Sequence, residues 1–218
     1  MKSLIAQGAE AKIYTFSIDN KLYVSKERIP KRYRLKEIDE KLRRYRTRRE
    51  ISILQKASAC IPVPYLHESS SEKDYTVIME YKEGKKLADC LNDLPTGQRK
   101  KIAKEMGKHL ALLHNKNIIH GDMTTSNMIW DGTTVYFIDF GLSFIDQKQE
   151  HKAVDLHLLR QALESRHHQH YKELYETILH SYKQYAEQAD SVLQRLEIVE
   201  KRGRYKKRKK SKKEEWGG

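Results

Sequence analysis

His120-Gly121-Asp122-Met123-Thr124-Thr125-Ser126-Asn127, followed a short distance downstream by Ile138-Asp139-Phe140-Gly141, decides how this 218-residue chain is read. Asp122 and Asn127 lie five residues apart, the spacing at which one loop presents a carboxylate and an amide carbonyl to a single pocket. Asp139 supplies a further hard oxygen donor. A transferring phosphoryl group needs its charge neutralised, and Mg²⁺ prefers oxygen ligands, so Asn127 and Asp139 are the expected metal ligands. Asp122 is then the catalytic group that accepts a hydroxyl proton or orients a water. An Asx-capped turn accounts for either string alone. Here both occur, joined by strand-like runs over 127–130 and 135–138 around Asp131-Gly132 and preceded by an amphipathic helix. That combination asks for more than turn chemistry.

Working towards the N-terminus, two runs rich in β-branched and aromatic residues, 11–16 and 21–26, flank Asp19-Asn20 and read as a hairpin. Residues 35–57 contain no Gly or Pro and place Ile38, Leu42 and Tyr45, then Thr47, Glu50 and Leu54, at helical spacing. Ile61-Pro62-Val63-Pro64 stops that helix, and a strand over 75–81 ends at Lys82-Glu83-Gly84. Lys26 closes a strand and Glu50 sits on the helix, both ahead of Asp122, in the order of a phosphate-gripping lysine and its partner carboxylate. Both are assigned to the catalytic set. Gly8, Ala9, Glu10 and Ala11 lie between the candidate first strands, where a loop covering the nucleotide phosphates belongs, although it holds one glycine instead of three. Glu80, Tyr81 and Lys82 stand where two lobes would join, so their backbone is the expected adenine contact.

Working towards the C-terminus, Thr96 is a candidate N-cap for a helix with an apolar stripe of Ile102, Met106, Leu110 and Leu113. A helix over 154–163 follows. A longer one starts near 171, with Leu174, Ile178, Tyr182, Tyr185, Ala189, Leu193 and Leu196 along one side. The expected fold class is α+β: a minimal bilobal arrangement with a β-rich N-lobe (1–81), a reduced, mostly helical C-lobe (82–200) and a basic tail (201–218).

These motifs resemble the protein-kinase superfamily. His120-Gly121-Asp122 stands in place of His-Arg-Asp, a departure shared with the RIO-like and aminoglycoside-phosphotransferase branches, and it removes the arginine that reads a phosphorylated activation loop. Gln7-Gly-Ala-Glu-Ala11, Ile29-Pro-Lys-Arg-Tyr-Arg34, Ile119-His-Gly-Asp-Met-Thr-Thr-Ser-Asn-Met128, Ile138-Asp-Phe-Gly-Leu-Ser-Phe144, Val154-Asp-Leu156 and the Lys201-Arg-Gly-Arg204 tail together are similar to one family. That family is the small atypical, RIO-like Ser/Thr kinase of the KEOPS (EKC) complex, the p53-related kinase family. The resemblance implies ATP and Mg²⁺ as cofactors, and ATP hydrolysis or Ser/Thr phosphorylation in support of N6-threonylcarbamoyladenosine (t6A) formation on tRNA. It also implies a threonylcarbamoyl-transferase partner on the C-lobe and a small regulatory subunit on the N-lobe. Asp155, in the family's Val-Asp-Leu, would steady the backbone of the catalytic loop.

Charge adds a partner class. The formal net charge is +13, and it is unevenly placed. Residues 201–218 carry ten Lys or Arg against two Glu, and residues 26–49 carry twelve against four acids, a net +8 in each island. Two basic islands on a near-neutral body point to a polyanion, with nucleic acid ahead of a membrane because no amphipathic anchor accompanies them. Lys201, Arg202, Arg204, Lys206, Lys207 and Arg208 are the expected tRNA contacts, reaching phosphates without folding first and binding by counterion release. Cys60 and Cys90 read as reduced thiols, and no apolar run has the length of a membrane span. A cytoplasmic protein, also nuclear in a eukaryote, is expected. Two alternatives use the same residues differently: a small-molecule phosphotransferase of the aminoglycoside-kinase type, and a non-catalytic scaffold for RNA and protein. The basic C-terminal end argues against a cationic acceptor, and a scaffold has no need of Lys26, Glu50, Asp122, Asn127 and Asp139 together.

Overall fold

Asp19 and Asn20 both adopt left-handed backbone, at φ 47° and 62°, and form the two-residue turn that joins β2 (Ala11–Ile18) to β3 (Lys21–Arg28). Such turns match the natural twist of paired strands, and Asp and Asn tolerate the conformation better than other side chains. β1 (Ser3–Gln7) and β4 (Thr76–Glu80) complete an antiparallel sheet in the order β1-β2-β3-β4. Helix α1 (Lys36–Ser58) buries Thr47, Glu50, Ile53, Leu54 and Ala57. Its first half departs from the expected stripe, with Ile38 and Tyr45 more than half exposed. The buried residue there is Asp39, which accepts from Arg43 Nε at 2.7 Å and from the Lys31 backbone N–H at 3.2 Å. A charged network took the inward position that spacing alone assigns to apolar side chains.

The computed structural model describes residues 2–214. The chain divides into two compact units, Met1–Asp89 with Ser126–Phe144, and Cys90–Thr125 with Ile145–Gly218. The first extends past the expected boundary at 81/82 and takes in the hairpin Met128–Trp130 and Val135–Phe137. Pairing explains this. Lys85 and Lys86 of β5 (Lys85–Lys86) pair with Trp130 and Ile129, and the Phe137 N–H donates to the Pro62 carbonyl at 3.1 Å. A one-turn helix, α2 (Leu87–Cys90), follows β5.

The second unit is helical: α3 (Thr96–Asn115), α4 (Gln149–Arg166), α5 (Tyr171–Tyr185) and α6 (Ala189–Glu214). Ile102, Met106, Leu110 and Leu113 are fully buried, as the stripe on α3 requires. Thr96 is the first helical residue and not the cap; Pro95 precedes it, and the Thr96 hydroxyl accepts from Arg99 Nη2 at 3.0 Å. The single helix expected from 171 is two helices. Ala186 is extended (φ −85°, ψ 127°), and Asn115 holds the break by donating to the Tyr185 carbonyl (2.9 Å) and accepting from the Glu187 N–H (3.0 Å). Tyr185 is consequently exposed, and Val192, Leu196 and Val199 take the core positions of α6. The backbone of the basic run continues α6 to Glu214 instead of forming an unfolded tail, in keeping with the good helix propensity of Lys, Arg and Glu. Arg202 pairs with Glu150 at 3.0 Å; the side chains of Arg204, Lys206, Lys207 and Arg208 lie outside the described residues.

Gly107 sets how closely α3 and α5 approach, because a Cβ there would sit 2.3 Å from the Ile178 carbonyl oxygen. Gly107→Ala should therefore cost about 3 kcal/mol in urea unfolding through overpacking against backbone. Gly97→Ala, also on α3 but with nothing within 4 Å, should be neutral or stabilising by up to about 1 kcal/mol. Equal effects at the two glycines would contradict this packing.

Candidate active site

Strand alternation puts Lys26 and Arg28 on the same face of β3, and the helical repeat of Thr47, Glu50 and Leu54 turns Glu50 inward. Lys26 Nζ donates to Glu50 Oε1 at 2.7 Å and to Asp139 Oδ1 at 2.6 Å. Burial pushes the Lys26 ammonium towards losing its proton, but Glu50, and after it Asp139, outweigh this and hold its pKa above the ordinary lysine value. It stays charged at neutral pH. Asp139 itself sits in left-handed backbone (φ 62°), a conformation that costs energy outside glycine, and its Oδ1 also accepts from the Gly141 N–H at 3.1 Å. A Cβ at Gly141 would lie 3.0 Å from both Lys26 Nζ and Asp139 Oδ1, so a larger residue there would press on the pair.

Lys26 and Asp139 line a cavity of about 320 Å³ in the first unit. Its walls are aliphatic: Ile5, Ala6, Ile13, Val24, Met79, Ile129 and Ile138. Of the residues expected to hold nucleotide and metal, Lys26, Glu80, Tyr81, Lys82, Asn127 and Asp139 line it. Gly8, Ala9, Glu10 and Ala11 do not. Their loop is closed by Gly8 N–H donating to the Ala11 carbonyl at 2.9 Å, Glu10 pairs with Arg46 at 2.5 Å, and Ile5, Ala6 and Ile13 of the flanking strands supply the lining instead. The N–H groups of Glu80 and Tyr81 are spent on the carbonyls of Tyr65 (2.8 Å) and Leu22 (3.0 Å). Among the described residues the Lys82 N–H has no backbone acceptor. No group of three or more His, Cys, Asp or Glu side chains gathers for a metal among them either. Asn127 and Asp139 both line the cavity, and their side-chain oxygens are of the kind that a cation keeping waters and taking its other ligands from phosphate would use. Arg28, which the sequence reading passed over, donates through Nη2 to Glu50 Oε2 at 2.5 Å. Its position two residues after Lys26 on a strand was the available signal.

Asp122 belongs to the second unit, on a segment held at both ends by buried bonds. Asp155, fully buried, accepts from the backbone N–H groups of His120 (2.7 Å, Oδ2) and Gly121 (2.9 Å, Oδ1). Gly121 is left-handed (φ 78°), which favours glycine between the two bonds. His114 Nε2 lies 3.4 Å from the same carboxylate while its Nδ1 meets the Tyr182 hydroxyl at 2.8 Å; burial lowers the His114 pKa despite Asp155. At the other end the Thr125 hydroxyl meets His167 Nε2 at 3.1 Å, and His167 Nδ1 meets Asn92 Oδ1 at 2.8 Å. The neutral tautomer with a proton on Nδ1 satisfies both. Burial, with Arg166 and His170 adding to it, lowers the His167 pKa to about 4.

The chain is similar to known proteins over most of its length. The family model described as protein kinase domain matches residues 1–190. The KEOPS complex subunit Bud32 of Pyrococcus abyssi is 42% identical over 214 residues, covering 94% of this chain and 97% of that one. A probable serine/threonine-protein kinase BUD32 homolog of Archaeoglobus fulgidus is 35% identical over 95% of this chain and 98% of its own length. A probable bifunctional tRNA threonylcarbamoyladenosine biosynthesis protein of Methanobrevibacter smithii is 37% identical over 93% of this chain, which corresponds to 37% of that longer protein.

His167 gives the second unit an acid-sensitive element. The unfolded chain takes up the proton near 6.5 and the folded one only near 4, so this contribution is complete above about 6.5 and is lost as pH falls through that window. The thermal midpoint of the wild-type chain should drop on acidification between those values, and the drop should be smaller in His167→Gln. Identical pH profiles for the two would contradict the role of the Thr125–His167–Asn92 chain.

Proposed function

The chain belongs to the protein kinase family, in its Bud32 branch, and on that premise we propose that it turns over Mg-ATP as a kinase-like subunit of a KEOPS complex supporting t6A formation on tRNA. The observation that carries this reading is Lys26, held at 2.6–2.7 Å between Glu50 and Asp139 and lining a largely aliphatic cavity together with Asn127. A purine would pack on the aliphatic lining of Ile13, Val24, Ile129 and Ile138, with the Glu80 carbonyl and the Lys82 N–H reading its edge. Lys26 grips the α- and β-phosphates. Asn127 and Asp139 hold Mg²⁺, which when bound supplies the positive charge that the transferring phosphoryl group needs. Asp122 accepts the acceptor's proton or orients a water.

Water is the main acceptor in this reading, with protein Ser/Thr hydroxyls second. Only residues 142–148 separate Gly141 from α4, which leaves no room for a peptide-docking activation segment. The relatives bear Bud32 and kinase names, so the aminoglycoside-kinase alternative is not favoured. The lobes at 1–81 and 82–200 are assigned to the small regulatory subunit and the threonylcarbamoyl-transferase subunit respectively, and the basic run from Lys201 to tRNA. A cytoplasmic location follows from that assembly. No described helix is long and apolar enough to cross a membrane.

Asp139→Ala should lower Mg²⁺-dependent ATP turnover by about a hundredfold or more in a phosphate-release assay, while unchanged turnover would remove Asp139 from the metal site. Truncation after Glu200 should weaken tRNA binding and flatten its dependence on salt in filter-binding titrations. A salt slope identical to that of the full chain would place the tRNA contacts elsewhere.

A further inference from the structure

Glu50 is 1% exposed, and both of its carboxylate oxygens are taken. Oε1 accepts from Lys26 and Oε2 from Arg28, which is itself only 7% exposed. One cation would neutralise one buried carboxylate; here there are two. Among the described residues Glu50 is the only ion-pair partner of Arg28, and Arg28 Nε is buried with no hydrogen-bond partner at all. The guanidinium is therefore not anchored in a wider network that would explain its burial. Its one strong contact is Glu50.

Lys26 has a second anion, Asp139, so two cations face two carboxylates and their charges balance. Engaging Asp139 with a divalent cation takes one carboxylate out of that balance. Glu50 then stands between Lys26 and Arg28 with one positive charge in excess, which is what an anionic phosphate needs. If Lys26 were the only cation on Glu50, moving towards phosphate would strand a buried carboxylate without a partner, a costly state. Arg28 removes that cost. Gly141 keeps the space between these groups clear, since a Cβ there would fall 3.0 Å from Lys26 Nζ and 3.5 Å from Arg28 Nη2.

We propose that Arg28 is a positioning residue of the nucleotide site: it holds Glu50 in place and neutralised through Oε2, so that Lys26 is released to the phosphates of the nucleotide. This rests on the reading of the cavity as a Mg-ATP site. It makes the placement of Glu50 independent of a regulated activation segment, which the short 142–148 connection cannot supply.

Isothermal titration with Mg-ADP and with adenosine, on the wild-type chain, Arg28→Met, Lys26→Met and the double variant, tests the role. Arg28→Met should weaken Mg-ADP about tenfold and leave adenosine within about twofold, because only the phosphate grip depends on Lys26. In the Lys26→Met background the same substitution should add nothing, since Arg28 acts through Lys26. An unchanged Mg-ADP affinity, an equal loss for adenosine, or a full loss persisting without Lys26 would each overturn the proposal. If Arg28→Met does not fold, Arg28→Lys and Arg28→Gln carry the test: the charged variant should keep the wild-type ratio of affinities and the neutral one should lose it, equal ratios being contradictory. A wild-type chain that binds neither ligand overturns the Mg-ATP reading and this inference with it. Wild-type binding with an additive cycle overturns the role of Arg28 alone.

Discussion

A lysine ammonium buried between two carboxylates has to be assembled from distant parts of the chain, and the first unit is built around that requirement. Lys26 comes from a central strand, Glu50 from the helix that follows and Asp139 from the far end of a hairpin more than a hundred residues later in sequence. A buried charge without its partner costs several kcal/mol. The geometry of these three residues therefore constrains the strand register, the phase of α1 and the position of the hairpin at once. The local features serve the same end. Left-handed Asp139 turns its carboxylate to Lys26, Gly141 leaves the space open, and the β5 pairing anchors the hairpin.

The second unit solves a different problem. Residues 120–124 must hold a fixed backbone without belonging to a helix or a long strand, and irregular backbone in a protein interior needs its polar groups satisfied. Asp155 accepts two successive N–H groups at one end, and His167 ties down the Thr125 hydroxyl at the other. Both are placed by the helical core. The close α3–α5 contact at Gly107 and the Asn115 bonds at the α5–α6 break determine where the helices carrying or supporting them lie.

Much of this was legible in the sequence because spacing carries it. The five-residue interval from Asp122 to Asn127, the Asp-Phe-Gly string and the Lys26-then-Glu50 order are local patterns, and the hairpin at Asp19-Asn20 follows from turn chemistry. What sequence did not reveal depends on contacts between segments. Arg28 reads as one of many surface arginines until Glu50 is placed beside it. Ile38 and Tyr45 have the right period for a core face, but nothing in the period shows that Asp39 and its arginines occupy that side. The break at Ala186 depends on Asn115, seventy residues away in the chain, and carries no Gly or Pro to announce it. The cavity walls likewise come from Ile5, Ala6 and Ile13, whose aliphatic side chains give no sign of function in isolation.

The proposed Mg-ATP site, with an output that serves a larger assembly, rests on these residues working together. The most direct measurement is ATP hydrolysis by the wild-type chain, with and without Mg²⁺, alone, with tRNA and with the candidate transferase subunit. Turnover should depend on Mg²⁺ and rise when the transferase subunit is added. No turnover above background in any arm would contradict this.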